Sequence, residues 1–268
     1  MAERVMSEIN TSVAHPARVY DYWLGGKDNF PADRELGDQV MQVLPGTGRS
    51  AQANRAFMVR AARSMAEAGV RQFIDIGTGL PTSPNLHEIT QTVAPEARVV
   101  YVDNDPIVLV HARALLTSSP KGRTGYVDAD IHNPEKILRE AAGILDFSQP
   151  IGLTLIAILH YVADDDPWGI VRQLVAGMPS GSYLAVSHAT IDIRQSGTPE
   201  QLIKGRELMN QLLPGPFIPR THAEVSQFFD GLELLPPGVV QTTAWRPDPG
   251  DNDLNGTTPM WCGVARKP

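Results

Sequence analysis

Residues 73–81 read FIDIGTGLP and decide the class of fold, because a short apolar run here leads directly into a Gly-x-Gly turn. The run is rich in aromatic and β-branched side chains, which strands favour. Gly77 and Gly79 let the backbone turn sharply and approach a ligand without a Cβ in the way. The stretch therefore predicts a buried strand that ends at a ligand-binding turn.

Asp75 is an acidic residue inside that apolar run. Burying an unpaired carboxylate costs free energy. We therefore expect Asp75 either to accept hydrogen bonds from groups of the turn or to face a cationic group of a ligand. From this segment alone, a structural role and a ligand-binding role both remain open.

A second predicted strand also ends in acids. After a helical pattern, the run RVVYV at residues 98–102 is followed by Asp103, Asn104 and Asp105. Dinucleotide-binding and related folds hold a pair of ribose hydroxyls with a carboxylate at this strand end, because a carboxylate accepts two hydroxyl hydrogens at once. Asp105 is better placed to cap the helix predicted at residues 106–116, so we assign the ribose to Asp103.

A third predicted strand ends in the sequence YVDADIHNP at residues 126–134. Asp128 and Asp130 lie two positions apart and so point to the same side of an extended chain. One of them could accept a hydrogen bond from an adenine amino group, with Ile131 against the ring. A turn or a helix cap is the alternative.

The fourth predicted strand is the apolar run IGLTLIAILHY at residues 151–161. The run does not alternate, which is typical of a central parallel strand covered on both faces. Open α/β sheets bind ligands at the carboxyl ends of their strands. We therefore expect a shared site for the polar residues that end these four strands, which are Asp75, Asp103, Asp130 and His160.

These motifs resemble class I S-adenosylmethionine-dependent methyltransferases. The segment PARVYDYWLGGKDNFPADRE at residues 16–35 resembles the opening of an actinobacterial methyltransferase family formerly catalogued as a domain of unknown function, and PPGVVQTTAWRPD at residues 236–248 extends the similarity. The resemblance implies an α/β fold with a Rossmann-like sheet of seven strands, mostly parallel with the last strand antiparallel, and an N-terminal helical lid. The third glycine of that family's turn is replaced here by Pro81, which predicts a stiffer loop.

The resemblance also implies a cofactor, S-adenosyl-L-methionine, and a function, methyl transfer to oxygen or nitrogen. Asp75 would lie near the methionine ammonium, Asp103 would hold the ribose, and Asp130 would accept from the adenine amino group. The complete implied cofactor-binding set is Asp75, Gly77, Gly79, Asp103, Asn104, Asp130, Ile131 and His160.

Methyl transfer from a sulfonium needs alignment of the acceptor, and it needs a base only where the acceptor must lose a proton. His160 is the first candidate base, because the unperturbed pKa of histidine lies near neutrality. Tyr161 and His188 are further candidates, the latter near the end of a fifth predicted strand at residues 182–187. A core or capping role is the alternative for either histidine.

Residues 1–69 are predicted to form a helical extension or lid, and residues 70–268 a single cofactor-binding unit. The first part mixes rings with polar groups around Gly25 and Gly26, as ligand pockets do. The residues predicted to meet the substrate are Tyr20, Tyr22, Lys27, Asp28, Asn29 and Phe30. The alternative is a helix that packs its rings on the sheet.

Helical spacing after this segment predicts a mostly solvated face for several arginines, Arg60 and Arg63 among them. Asn54 or Arg55 could instead reach the site.

Composition limits the partners. The chain has 268 residues, a formal charge of −7 and a pI near 5.5, which argues against nucleic acid and favours a small-molecule substrate. One cysteine indicates a reducing cytoplasm, no apolar run approaches the roughly 20 residues of a membrane helix, and no motif has metal-ligand spacing. The sequence leaves the oligomeric state open.

Two other functions remain open. The chain could bind S-adenosylmethionine or S-adenosylhomocysteine as a non-catalytic regulatory protein. An NAD-dependent oxidoreductase is disfavoured, because its fingerprint requires glycine where this chain has Thr82 and seldom has an acid at Asp75.

Overall fold

The computed structural model of the chain describes residues 10–108, 110, 118–163, 166–192, 197–249, 251 and 256–268. Within them, three helices precede the first strand: α1 (Pro16–Trp23), α2 (Pro31–Val43) and α3 (Thr47–Glu67). Helices α1 and α2 each begin at a proline, whose fixed φ suits the first helical position and whose missing N–H needs no partner there. No helix in the described ranges is both long and apolar enough to cross a membrane.

The remaining elements alternate between strands and helices. The strands are β1 (Gln72–Ile76), β2 (Arg98–Asp103), β3 (Arg123–Asp128), β4 (Ile151–Ile156), β5 (Tyr183–Ala189), β6 (Glu233–Leu234), β7 (Val240–Gln241) and β8 (Met260–Arg266). Between them lie α4 (Leu86–Val93), α5 (Pro134–Ala141), α6 (Pro167–Ala176), α7 (Pro199–Leu212) and α8 (His222–Ser226), with 3₁₀ turns at Leu159–Tyr161 and Gln227–Phe229.

The strands form one sheet in the order β3-β2-β1-β4-β5-β8-β6, with β7 also paired to β8. Strands β1 to β5 are parallel, and β8 runs antiparallel to β5. The chain moves outward from β1 to β3 and then returns to β4 on the other side of β1. This reversal opens a crevice at the carboxyl ends of β1 and β4, where open α/β sheets bind ligands.

The predicted mostly parallel sheet with an antiparallel last strand is confirmed. The sixth strand, which the sequence predicts from the two runs at residues 232–235 and 239–243, consists of two short strands, β6 and β7, which pair separately with β8. Pro236 and Pro237 lie between them and have no N–H to donate to a ladder. The sheet therefore has eight strands.

Both faces of the sheet are covered, because adjacent residues of a strand point to opposite sides. Ile74 lies in a core cluster that includes Ile137 of α5, whereas its neighbour Phe73 packs in a second cluster with Phe57 and Met65 of α3. Helix α3 thus forms part of the core beneath the sheet, although it belongs to the predicted lid segment. The division of the chain at residue 69 stays a prediction.

Arg60 of α3 does not belong to the predicted solvated face, so that prediction is wrong for this residue. Its side chain is only 5% exposed. It donates hydrogen bonds to the carbonyls of Trp245 and Thr242, at 2.9 and 2.7 Å, and pairs with the carboxylate of Asp251. Arg63, one turn further along α3, forms a half-exposed ion pair with Asp248. Periodicity alone could not separate the two arginines, because the C-terminal segment covers one of them.

Candidate active site

The turn after β1 is fixed by backbone hydrogen bonds to β2. The N–H of Gly77 donates to the carbonyl of Val102 at 2.9 Å, and the N–H of Gly79 donates to the carboxylate of Asp103 at 3.0 Å. Both glycines have positive φ, +70° and +64°. A Cβ on Gly77 would lie 2.5 Å from Ile158, whereas a Cβ on Gly79 would meet nothing within 4 Å. The second glycine therefore borders open space.

Asp75 lies in β1 directly before this turn and is half-buried. Its carboxylate accepts hydrogen bonds from the hydroxyls of Thr154, at 2.5 Å, and Thr78, at 2.7 Å. Burial raises the pKa of Asp75, although these two hydrogen bonds and the Arg55 guanidinium counteract it. The carboxylate oxygens keep lone pairs for a cationic group.

Asp103 ends β2 and is held by two backbone donors. Its carboxylate accepts from Gly79 and, at 3.0 Å, from the N–H of Asp105. Burial raises the pKa of Asp103 to about 6. Asp105 in turn accepts from the N–H of Ile107 at 2.8 Å, as a cap does. Residues 109 and 111–116 of the helix predicted to follow lie outside the described residues.

Asp130 follows β3 and is joined to the end of β2 through Asn104, whose side-chain amide donates to it at 2.8 Å. The N–H of His132 donates at 2.9 Å, and the His132 ring contacts the same carboxylate. Burial raises the pKa of Asp130, but the hydrogen bonds from His132 and Asn104 outweigh burial and hold the pKa below its usual value.

A cavity of about 250 Å³, here called the strand-end cavity, lies beneath α1 at the carboxyl ends of β1, β2, β3 and β4. It brings together most of the predicted cofactor-binding residues, namely Asp75, Gly77, Gly79, Asp103, Asn104, Asp130 and Ile131. Tyr20 and Tyr161 also line it. In the part of the chain that the structure describes, no group of three or more His, Cys, Asp or Glu side chains could hold a metal ion.

Arg55 of α3 lines the strand-end cavity as well. It donates to the carbonyls of Thr82 and, at 2.6 Å, Pro84, but its buried Nε has no hydrogen-bond partner. Burial lowers the pKa of Arg55. A buried donor without an acceptor costs free energy, so this nitrogen is available to an oxygen of a ligand. The sequence identified Arg55 only as one of two helical residues able to reach the site.

The N-terminal segment contributes Tyr20 but not the other predicted substrate residues. The Tyr20 hydroxyl donates to the carbonyl of Ala51 at 3.1 Å and accepts from the side-chain amide of Asn54 at 2.8 Å. The Tyr22 hydroxyl instead donates to Asp38 at 2.7 Å. Residues two positions apart point to different sides of a helix, and the two tyrosines of α1 accordingly contact different parts of the chain.

The segment after α1 folds back onto Asp21, which itself lines the strand-end cavity. The carboxylate of Asp21 accepts from the N–H of Asp28 at 3.0 Å and from the side-chain amide of Asn29 at 2.8 Å. The ring of Phe30 packs against the guanidinium of Arg18, and Lys27 is exposed. Asp21 therefore lines the strand-end cavity, but the four residues predicted to meet the substrate do not. These are Lys27, Asp28, Asn29 and Phe30.

A second cavity, of about 110 Å³ and here called the apolar cavity, lies beside the first. Tyr20, Ala157 and Tyr161 line both cavities, whereas His160 lines only the apolar one. The Nδ1 of His160 accepts from the N–H of Ala189 at 3.3 Å. Burial holds the pKa of His160 well below its usual value, so its proton resides on Nε2 and the ring presents a donor.

The other two candidate bases are His188 and Tyr161, and they differ in their hydrogen-bond partners. The Nδ1 of His188 is 2.7 Å from the carbonyl of Ala189 and its Nε2 is 2.9 Å from the guanidinium of Arg220, so both nitrogens are engaged. Burial lowers the pKa of His188 to about 3. Burial also raises the pKa of Tyr161, which keeps its hydroxyl protonated. The catalytic roles of these residues stay predictions.

Comparisons with known proteins agree on a family. A family model described as S-adenosyl methyltransferase matches residues 2–268. A search of curated proteins found no match.

Solved structures are also similar to the chain. A DUF574 family protein from Streptomyces avermitilis is 50% identical, with a TM-score of 0.89 over 96% of this chain and 99% of that one. A protein from Thermobifida fusca is 41% identical, with a TM-score of 0.85 over 96% of both chains. The plantazolicin methyltransferase BpumL, solved in complex with SAH, is 12% identical with a TM-score of 0.50 over 100% of this chain and 99% of that one, and shares the fold.

Proposed function

Since this chain belongs to the S-adenosyl methyltransferase family and S-adenosyl-L-methionine is its cofactor, we propose that it methylates an oxygen or nitrogen atom of a small molecule. One observation carries this proposal. The strand-end cavity, which is lined by acids, and the apolar cavity share Tyr20, Ala157 and Tyr161. A cofactor in the first cavity and an acceptor in the second would therefore meet across these three residues.

The adenosine half of the cofactor fits the ends of β2 and β3. Asp103 would accept hydrogen bonds from the ribose hydroxyls, and Asp130 would accept one from the adenine amino group. Asn104 would keep the Asp130 carboxylate in place through its 2.8 Å hydrogen bond. Ile131, which is buried and lines the strand-end cavity, would contact the adenine ring.

The methionine half fits the end of β1. Asp75 would pair with the ammonium group, and the space beside Gly79 would let the chain of the methionine pass close to the backbone. The buried Nε of Arg55 needs an acceptor, and the carboxylate is the one anionic group of the cofactor. We therefore assign the carboxylate to Arg55.

When bound, S-adenosylmethionine would be held by Asp75, Arg55, Asp103 and Asp130 and would supply an electrophilic methyl group on a sulfonium sulfur. The chain's own part is to align the acceptor and exclude bulk water. His160 and Tyr161 would donate hydrogen bonds to the acceptor. A hydroxyl or amine acceptor must also lose a proton, which would pass to a water molecule as the methyl group is transferred.

Calorimetric titration can test the cofactor assignment with S-adenosylhomocysteine and with methylthioadenosine, which lacks the amino acid end. Asp103→Ala should weaken both ligands about 10- to 100-fold, because hydrogen bonds to a charged group are worth about 1.5 to 3 kcal/mol. Arg55→Gln should weaken S-adenosylhomocysteine by a similar factor and leave methylthioadenosine unchanged.

Asp128→Ala is the matched control, since Asp128 is an exposed acid at the end of β3 that does not line the strand-end cavity. Equal affinity of wild type and Asp103→Ala would remove the ribose assignment. Tight S-adenosylhomocysteine binding without methyl transfer to any phenol, amine or carboxylate in a broad survey would favour a regulatory binding protein instead.

A further inference from the structure

The apolar cavity has two distinguishable ends. At the inner end, Tyr20, Ala157 and Tyr161 also line the strand-end cavity. At the outer end, Arg206 and Phe217 also line an open surface groove between α7 and the segment that follows it. The cavity therefore lies between the proposed methyl donor and solvent, as an acceptor site must.

The walls between the two ends are mostly apolar and in part aromatic. They include Trp23, Leu44, Tyr161, Leu202, Met209 and Phe217. An apolar cavity of about 150 Å³ holds benzene, so a cavity of about 110 Å³ admits no more than a single ring, whose substituents must extend through its two ends. Flat rings gain offset or edge contacts with such aromatic walls. The walls favour a small aromatic acceptor.

Arg206 gives the outer end a positive charge. It is the one formally charged side chain among the described residues that line the apolar cavity, and it forms no hydrogen bond or ion pair with the rest of the described chain. Glu207 lies on the surface groove but not in the cavity. A guanidinium binds carboxylates through paired N–H groups. Because the protein carries a net charge of −7, anions are not attracted to it in general, and Arg206 provides a specific site.

The inner end offers hydrogen-bond donors instead of charge. The Tyr161 hydroxyl has no hydrogen-bond partner among the residues that the structure describes, and it stays protonated because burial raises its pKa. His160 lines the same cavity, and because its Nδ1 accepts from the N–H of Ala189, its Nε2 carries the proton and is a donor. Both groups suit an oxygen atom, which accepts hydrogen bonds through its lone pairs.

On the basis of the proposed function, we propose that the acceptor is a single-ring aromatic carboxylic acid, whose carboxylate pairs with Arg206 and whose hydroxyl lies at Tyr161. The methyl group joins the hydroxyl oxygen as its bond to sulfur breaks, the electron pair stays on sulfur, and the hydroxyl proton passes to water. The product is a methyl ether that keeps its carboxylate.

Calorimetry of the protein saturated with S-adenosylhomocysteine tests this with two probes, para-hydroxyphenylacetate and its neutral amide. The wild-type protein should bind the acid about 10- to 100-fold more tightly than the amide, as expected for a charge-assisted hydrogen bond. Arg206→Gln should remove this preference and leave the affinity for the amide within about twofold. Arg206→Lys should retain part of it, since the charge remains without the paired geometry.

Lys204→Gln is the matched control, because Lys204 is an exposed cation of α7 that does not line the cavity. It should change neither affinity. The inference is overturned if the acid binds wild-type protein no better than the amide, or if Arg206→Gln keeps the preference. Failure of the wild type to bind S-adenosylhomocysteine would overturn the cofactor assignment and this inference together, whereas loss of the acid preference alone leaves the cofactor assignment intact.

Discussion

At the scale of single residues, Asp103 is a half-buried carboxylate whose backbone N–H donors do not fully compensate its loss of hydration. Burial raises its pKa from 3.8 to about 6, and the neighbouring charge of Asp105 adds to the shift. In the unliganded protein, the proton on Asp103 therefore stabilises the fold at acidic pH, and this contribution is lost as pH rises through about 6. Hydrogen bonds from the hydroxyls of a bound ribose would favour the charged form of Asp103 and would therefore lower its pKa.

We therefore expect the affinity for S-adenosylhomocysteine to fall roughly tenfold between about pH 7 and about pH 5, because Asp103 must lose its proton to accept both ribose hydroxyls. Asp103→Asn should bind more weakly and lose most of this dependence. Calorimetry across this range measures it, since the amino group of the ligand, with a pKa near 8, does not titrate there.

Two histidines lie near Asp103, and the Asp103→Asn variant controls for any pH dependence that they cause. His15 lies 3.3 Å from the carboxylate of Asp105, and His132 contacts Asp130. Any pH dependence that they cause persists in Asp103→Asn, so the difference between the two curves reports on Asp103. Parallel curves for wild type and variant would contradict the prediction.

At the scale of elements, the turn between β1 and α4 uses two glycines with the same conformation but different surroundings. A Cβ added to Gly77 would collide with the Ile158 side chain, whereas a Cβ added to Gly79 would meet nothing within 4 Å. The left-handed conformation disfavours any other residue at both positions. Only the first position adds a collision with a neighbouring side chain.

Gly77→Ala should therefore destabilise the unliganded protein more than Gly79→Ala. We expect Gly79→Ala to lower the free energy of unfolding by about 1 to 2 kcal/mol, the cost of a left-handed alanine. Gly77→Ala should lose about 1 to 3 kcal/mol more, because the added methyl group overpacks against Ile158. Urea denaturation of the two variants measures the difference, and equal losses would show that Ile158 moves aside freely.

At the scale of the whole molecule, Arg60 joins α3 to the segment that precedes β8. Its guanidinium contacts two carbonyls and one carboxylate, all more than 180 positions away in the chain. Removing one partner of a buried charged network leaves the other groups without compensation. The N-terminal helices and the C-terminal segment therefore depend on each other for stability.

Arg60→Met should lower the free energy of unfolding by about 3 to 5 kcal/mol, because the carboxylate of Asp251 and the carbonyls of Trp245 and Thr242 lose their hydrogen-bond donor. Arg63→Met, on the same helix, removes a half-exposed ion pair with Asp248 and should cost less than about 1 kcal/mol. Chemical denaturation of both variants compares them directly. A loss for Arg60→Met as small as that for Arg63→Met would mean that the C-terminal segment contributes little to folding.

The order of strands and helices could be predicted from sequence because it depends on local signals. An apolar run must be buried, a Gly-x-Gly turn ends it, and an acid beside the turn needs a partner. Parallel strands bring their carboxyl ends to one edge of the sheet, so Asp75, Asp103 and Asp130 meet in the strand-end cavity although they are distant in the chain. The sequence also predicted the two runs on either side of Pro236 and Pro237, but as parts of one strand, and it placed Arg60 on a solvated face.

By itself, the sequence determined the family, because segments such as residues 16–35 resemble it and its family model matches residues 2–268. The sequence also determined the sheet and the strand-end acids, because these follow from spacing along the chain. Only the tertiary structure decided which helix-borne groups face a cavity. In the structure, Arg55 lines the strand-end cavity together with Asp75, and both ring nitrogens of His188 have hydrogen-bond partners. Arg206 lies at the outer end of the apolar cavity. The physical reason is that the rotation of a helix about its axis is fixed by packing against elements far away in the chain, which local spacing does not encode.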